Sequence, residues 1–207
     1  MLKESLHLHH CHSVDGALLA TLRESHLPSG SSRFEFLDES GRLLLTTVVR
    51  GPGATEVLVG ANGASPFARS ECAQTYAVAP NAEIQQVGDS TVLQSFDVKG
   101  HTLRVIDDYG RRTRHFIFGC GPGLFLHVNL DEDGTITLME KDIEYSTLRV
   151  VRRDQAGHLL EDTATMQPGE RLEHIARRCG MPLAVLTALN PLASVGTPAP
   201  GATLRLA

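Results

Sequence analysis

The sequence predicts an α+β chain in which a mostly antiparallel β region, residues 1–153, precedes a small βααβ unit, residues 159–207. Two observations carry this prediction. From Arg33 to Arg153, apolar and polar residues alternate with period two and are broken by turn signals roughly every ten residues, the pattern of short antiparallel strands. In the last fifty or so residues the period changes: Leu172, Ile175, Ala176 and Cys179 fall at i, i+3, i+4 and i+7, one face of a short helix. A chain of 207 residues with 42% apolar content is long enough for one large domain or two small ones with their own cores.

Taken in order, the N-terminus is rich in histidine: His7, His9, His10 and His12 surround Cys11. If this stretch is a strand, Leu6, Leu8, His10 and His12 share one face and His7, His9 and Cys11 the other. Imidazole and thiol groups two residues apart suit Zn²⁺ or Ni²⁺, so His7, His9, His10 and His12 are the candidate metal ligands, and zinc is the only cofactor considered. Cys120, His115 or His127 would close such a site. Ala17 to Glu24 reads as a short helix with Ser13 or Asp15 near its start, and Leu27 to Ser32 reads as a loop.

The strand candidates that follow are Phe34–Phe36, Arg42–Val49, Ser95–Val98, His101–Ile106, His115–Phe118, Leu124–Leu130, Thr135–Met139 and Thr147–Val151. Their spacing predicts an all-β sandwich, barrel or meander. Asp131-Glu132-Asp133-Gly134 marks a hairpin rather than a calcium loop, because no Glu follows at the ligand position. Phe118 to Gly123 reads as a wide turn or bulge; it lacks the Lys-Ser/Thr of a phosphate loop. Asp38-Glu39-Ser40-Gly41-Arg42, Asp108-Tyr109-Gly110-Arg111 and Asp154-Gln155-Ala156-Gly157-His158 repeat an acidic-then-Gly turn between apolar strands. These copies are weakly similar to the hairpins of Rhs/YD-repeat shell proteins of bacterial toxins, and ordinary hairpin chemistry also accounts for them.

In the C-terminal unit, Asp162–Met166 forms a strand and Gln167-Pro168-Gly169 a turn. Gly180 stands where a helix C-cap needs a left-handed residue, and Pro182 suits the start of a second helix whose apolar face is Val185, Leu186 and Leu189. Asn190-Pro191 stops that helix, Pro200-Gly201 turns the chain, and Thr203–Leu206 is the last strand.

The order strand, Pro-Gly-Glu-x-Leu, Ile-Ala, Gly, Leu-x-x-Leu-Asn-Pro-Leu, Pro-Gly and Leu-x-Leu resembles the LysM family from Leu159 to Ala207. The resemblance implies a shallow groove for N-acetylglucosamine-containing glycan, peptidoglycan or chitin-like. Gly169, Glu170, Arg171 and Leu172 form one lip of that groove and Leu189, Asn190, Pro191 and Leu192 the other. Where the family has Asp-Thr after the turn glycine, this chain has Glu170-Arg171, poorer helix caps by about 1 kcal/mol.

A net charge of −5 without a basic block argues against nucleic acid as a partner. The sequence contains no apolar run long enough for a membrane helix and no N-terminal apolar segment of the secretory kind. The four cysteines form no CxxC pair and are read as reduced thiols. The expectation is a cytoplasmic chain, or one exported by a signal-peptide-independent apparatus. No GxSxG elbow is present, and an enzyme is not expected. The first functional expectation is therefore a non-enzymatic protein whose LysM-like module recognises peptidoglycan. The alternative is a leaderless LysM adaptor of a phage-tail, contractile injection or toxin-delivery apparatus, its module contacting a protein partner.

Overall fold

A computed structural model describes residues 5–26, 32–49, 54–59, 68–71, 83–86, 91–98, 101–108, 113–194, 196 and 198–207. The first sheet comprises β1 (Ser5–His12), β2 (Leu18–His26), β3 (Ser32–Asp38), β4 (Leu43–Val49), β5 (Ala54–Val59) and β6 (Ala68–Glu71), each antiparallel to the next. The second begins at β7 (Glu83–Gln86), β8 (Thr91–Val98), β9 (His101–Asp108) and β10 (Thr113–Gly121). It continues through β11 (Leu124–Leu130), β12 (Ile136–Asp142), β13 (Thr147–Arg153), β14 (Leu159–Thr165) and β15 (Thr203–Arg205). Its nine strands lie in sequence order from β7 to β15, so both sheets are meanders.

The meanders face each other across one core. Leu22, Phe34, Phe36 and Leu44 from the first sheet pack with Phe116, Phe118, Leu126 and Leu138 from the second. The alternation is visible in β10, where Arg114, Phe116, Phe118 and Cys120 are buried and their neighbours are not. The ring centroids of Phe34 and Phe116 lie 5.7 Å apart, and those of Phe36 and Phe118 lie 4.6 Å apart. Truncating any of these fully buried rings would cost about 3–5 kcal/mol. Within the β architectures left open by the sequence, the described residues form two antiparallel meanders that share one core.

Ala17 to Glu24 is not a helix; it is the β2 strand, hydrogen-bonded to β1 on one side and β3 on the other. The helix propensity of Ala, Leu, Arg and Glu is worth only tenths of a kcal/mol per residue, and burial of Ala20, Leu22 and Glu24 outweighs it. Ser13 caps a hairpin instead of a helix: its Oγ accepts the Ala17 N–H at 3.0 Å, and Gly16 takes φ +89°.

That turn recurs. At Asp38, Asp142 and Asp154 the carboxylate accepts N–H groups two and four residues on, while the residue three along has positive φ. Asp131 starts a turn with the same backbone bonds. The acidic-Gly copy read at Asp108-Tyr109-Gly110-Arg111 includes residues 109–111, which lie outside the described residues. In the Asp142 turn the left-handed residue is Tyr145, φ 63°, where its sisters have Gly. The Gly-rich stretch at the end of β10 does contain a register shift between Gly119 and Gly121.

The C-terminal unit runs β14, α1 (Leu172–Arg178), α2 (Leu183–Leu189), a 3₁₀ turn (Pro191–Ser194) and β15. Its own core is Ala164, Met166, Ile175, Ala176, Leu186, Leu204 and Leu206. Gly180, φ 64°, ends α1: Gly180 N–H donates to Arg177 O and Met181 N–H to Ala176 O, the two bonds of a Schellman cap. β14 pairs with β15 on one edge and with β13 on the other, so the unit continues the nine-stranded sheet. Helix α1 also leans on the first hairpin, because a Cβ at Gly180 would meet His12 Cε1 at 2.8 Å and one at Gly16 would meet Arg177 Cγ at 2.6 Å.

Candidate functional site

Two features stand out, a groove in the C-terminal unit and a buried polar cluster between the sheets. The groove has a volume near 550 Å³ and lies between Leu189, Asn190, Pro191 and Leu192 on one side and Pro198, Ala202 and β15 on the other. Its lining is mainly apolar, and Leu192 is 88% exposed at its rim. Four of the eight residues expected to bind glycan therefore line one cavity. Gly169, Glu170 and Arg171 on the β14–α1 connection and Leu172 at the start of α1 do not line it.

The polar groups of both lips are engaged within the protein. Asn190 Nδ2 donates to Leu186 O at 2.9 Å and Arg205 O at 2.7 Å, and Asn190 Oδ1 accepts the Arg205 N–H at 2.8 Å. The carboxamide thus ties the end of α2 to β15. Glu170 accepts from the buried Arg178, Nε to Oε1 at 2.9 Å and Nη2 to Oε2 at 3.2 Å, and from the Gln167 N–H at 2.8 Å. Arg178 also donates to Leu148 O and Thr165 O at 2.9 and 2.8 Å. The glutamate at position 170 is long enough for its carboxylate to reach Arg178. The start of α1 is served by His174, whose Nδ1 accepts the Arg171 N–H at 3.2 Å.

The second feature begins at β1, which alternates as a strand should. Cys11 and His9 point into the sandwich; Leu6 and Leu8 point out, 58% and 52% exposed. The four candidate ligand histidines are not brought together. His7 belongs to a separate cluster, its ring 5.8 Å from that of His26, which bonds Glu24, itself held by Arg153 at 3.1 Å. His10 is exposed and bonds Thr21, and His12 rests on Gly180.

His9 alone of the four joins a new group. His9 Nε2 lies 2.8 Å from Glu140 Oε1, and ligand atoms of His9, Cys11 and Glu140 all fall within 4.8 Å of one another. Cys120, from β10, is buried beside Cys11, and its thiol donates to Phe118 O at 3.7 Å. The Arg149 guanidinium backs the carboxylate at 3.9 Å and is itself held by Asp162 through two bonds of 3.0 and 2.9 Å. Burial pulls the His9 imidazole down, but bonds to Cys11 and Glu140 raise it to about 9. The neighbouring Cys120 thiol, together with burial, pushes the Cys11 thiol well above its ordinary range. Burial works against ionised Glu140, yet His9 and then Arg149 hold it below the usual carboxylate range.

Of Cys120, His115 and His127, only Cys120 lies on the inward face beside Cys11, and it is not one of the three residues whose ligand atoms converge. His115 and His127 lie on the opposite, outward face of the second sheet, bonded to each other at 3.0 Å and close to Tyr145. Glu140 was missed, although its sequence signal exists: Ile136, Leu138 and Glu140 share inward parity, and a carboxylate at a core position needs a partner.

Among the described residues no helix is long and apolar enough to cross a membrane. No family model, curated protein or solved structure matches the chain.

Proposed function

We propose that this chain is a non-enzymatic binding protein whose C-terminal unit, residues 159–207, is a LysM-type module for N-acetylglucosamine-containing glycan such as peptidoglycan, carried on a β-rich domain of residues 1–153. The observation that supports this most is the groove along Leu189–Leu192, set in a strand–helix–helix–strand unit whose two strands pair antiparallel. An apolar floor receives the acetamido methyl, and recognition falls to backbone N–H and C=O groups, since the side chains of Glu170 and Asn190 are occupied.

A second reading is an adaptor of a phage-tail-like or toxin-delivery assembly, in which the same module contacts a protein. The pairing of β14 with β13 favours it, because a module continuous with the sheet is held rigidly rather than on a linker. Sedimentation with purified peptidoglycan and titration with chitin oligomers separate the two. The glycan reading expects retention of the wild type and its loss in Leu192→Asp, with the unfolding midpoint unchanged because Leu192 is exposed. Absence of retention by the folded wild type would refute the glycan reading and leave the adaptor.

A further inference from the structure

We propose that His9, Cys11 and Glu140, with Cys120 as the fourth donor, form a closed zinc site that pins the first sheet to the second. The site is independent of the C-terminal groove.

The donor set comes from three strands. His9 and Cys11 are two apart on the inward face of β1, Cys120 is on β10 and Glu140 on β12. All four are buried, with exposures of 5%, 0%, 1% and 1% for His9, Cys11, Cys120 and Glu140. Zinc holds thiolate sulfur at about 2.3 Å and imidazole or carboxylate at about 2.0–2.2 Å, which sets tetrahedral donors roughly 3.3–3.8 Å apart. The His9–Glu140 separation of 2.8 Å is shorter than this, and the group's 4.8 Å limit is longer. Side-chain adjustment of about an ångström therefore suffices for these three, and Cys120, outside the converging group, joins it by turning its thiol away from Phe118 O.

The donor chemistry selects the ion. Two sulfurs with one nitrogen and one carboxylate oxygen match zinc's tetrahedral preference, and the thiols disfavour Mg²⁺ and Ca²⁺. With all four positions taken by protein, none is left for water or substrate, so the role is structural rather than catalytic.

Charge conservation fits the buried setting. When the ion enters, one proton leaves the His9–Glu140 hydrogen bond and one leaves the Cys11 thiol. Two positive charges go out and two come in, and the core's net charge is unchanged. Ionising Cys120 as well adds one negative charge to a site whose Glu140 ligand is backed by the Arg149 guanidinium. The Arg149–Asp162 pair fixes that carboxylate from outside, as the outer partners of metal ligands commonly do. A metal-free core would instead bury two unbridged thiols, an imidazole and a carboxylate where the surrounding cluster is Phe34, Leu22 and Phe118.

The test uses untagged full-length protein expressed with added zinc, dialysed in metal-free buffer and assayed for metal content and by substitution with Co²⁺. The expected result is about one zinc per chain and, with Co²⁺, a thiolate charge-transfer band. Cys11→Ser and Glu140→Gln should lose the metal; His10→Ala and Cys179→Ser should keep it. Chelation of the wild type should lower its unfolding midpoint. If Cys11→Ser fails to fold, the wild-type cobalt spectrum decides, read beside that of Cys179→Ser. The proposal is overturned by folded wild type that retains no metal and gives no thiolate band. It is equally overturned by metal that survives Cys11→Ser in folded protein or vanishes with His10→Ala. A Cys11–Cys120 disulfide in freshly purified, unreduced protein would also end it.

Discussion

Replacing Arg178 with Met tests whether Glu170 belongs to the fold or to ligand recognition. Arg178 is 3% exposed, and its guanidinium makes four short bonds, two to Glu170 and one each to Leu148 O and Thr165 O. Methionine keeps most of the apolar stem and removes every donor. Losing one partner of a buried ion pair costs about 3–5 kcal/mol. Glu170 is 15% exposed and keeps the Gln167 N–H, so the lower end, about 3 kcal/mol, is expected. Glu170→Gln should cost less, because an amide oxygen still accepts from Arg178. The double variant should be less destabilised than the two losses added together, by a coupling of about 1–3 kcal/mol. Urea denaturation followed by circular dichroism gives the totals, and hydrogen exchange at Ile175 and Ala176 locates the loss in α1. A cost for Arg178→Met below about 1 kcal/mol, or strict additivity in the double variant, would refute this account and leave the Glu170 carboxylate free for ligand contact.

Tyr145 holds a left-handed backbone conformation at the position where the sister turns have glycine, so Tyr145→Gly should be more stable than Tyr145→Ala by about 1 kcal/mol. Equal melting of the two variants would show that the backbone there carries no such strain. His127 responds to acid. Burial, with the nearby charges of His115 and Lys141, pulls it down to about 4 from an unfolded value of 6.5. The unfolded chain therefore takes up a proton between those pH values that the folded chain refuses. Stability falls as pH drops through that window, by less than the full value of about 1.4 kcal/mol per pH unit because solvent screens part of the shift. Urea midpoints at about pH 7 and about pH 4 should converge in His127→Leu relative to the wild type; an undiminished acid loss in that variant would rule His127 out as its source.

The sequence carried the fold where local chemistry and global packing agree. The acidic turns at Asp38 and Asp154, the alternation in β10 and the Gly180 cap are each set by a few neighbouring residues, and each is found in the structure. Ala17–Glu24 failed for the opposite reason. Its composition favours a helix, but its fate is decided by β1 and β3 on either side, contacts that a local window does not contain.

The candidate sites divide along the same physical line. The His-rich N-terminus drew attention as a run along the chain, yet a strand points neighbouring residues to opposite faces, so His9 and His10 part company at once. What gathers around His9 comes from β10 and β12, more than a hundred residues away, and proximity across a sandwich follows from register, which composition does not encode. Inward parity was the usable signal. Glu140 follows Ile136 and Leu138, Arg149 and Arg153 flank Val151, and Glu24 follows Leu22, each a charge at a core position that must find a counter-charge inside. The same reasoning bears on the groove. Glu170 and Asn190 look like ligand contacts in the sequence because they are polar and near the loops, but the fold uses both to anchor α1 and β15. Any glycan held there must be recognised by backbone groups and by the apolar rim at Leu192, and that is why Leu192, rather than Asn190, is the residue whose replacement reports on binding without disturbing the fold.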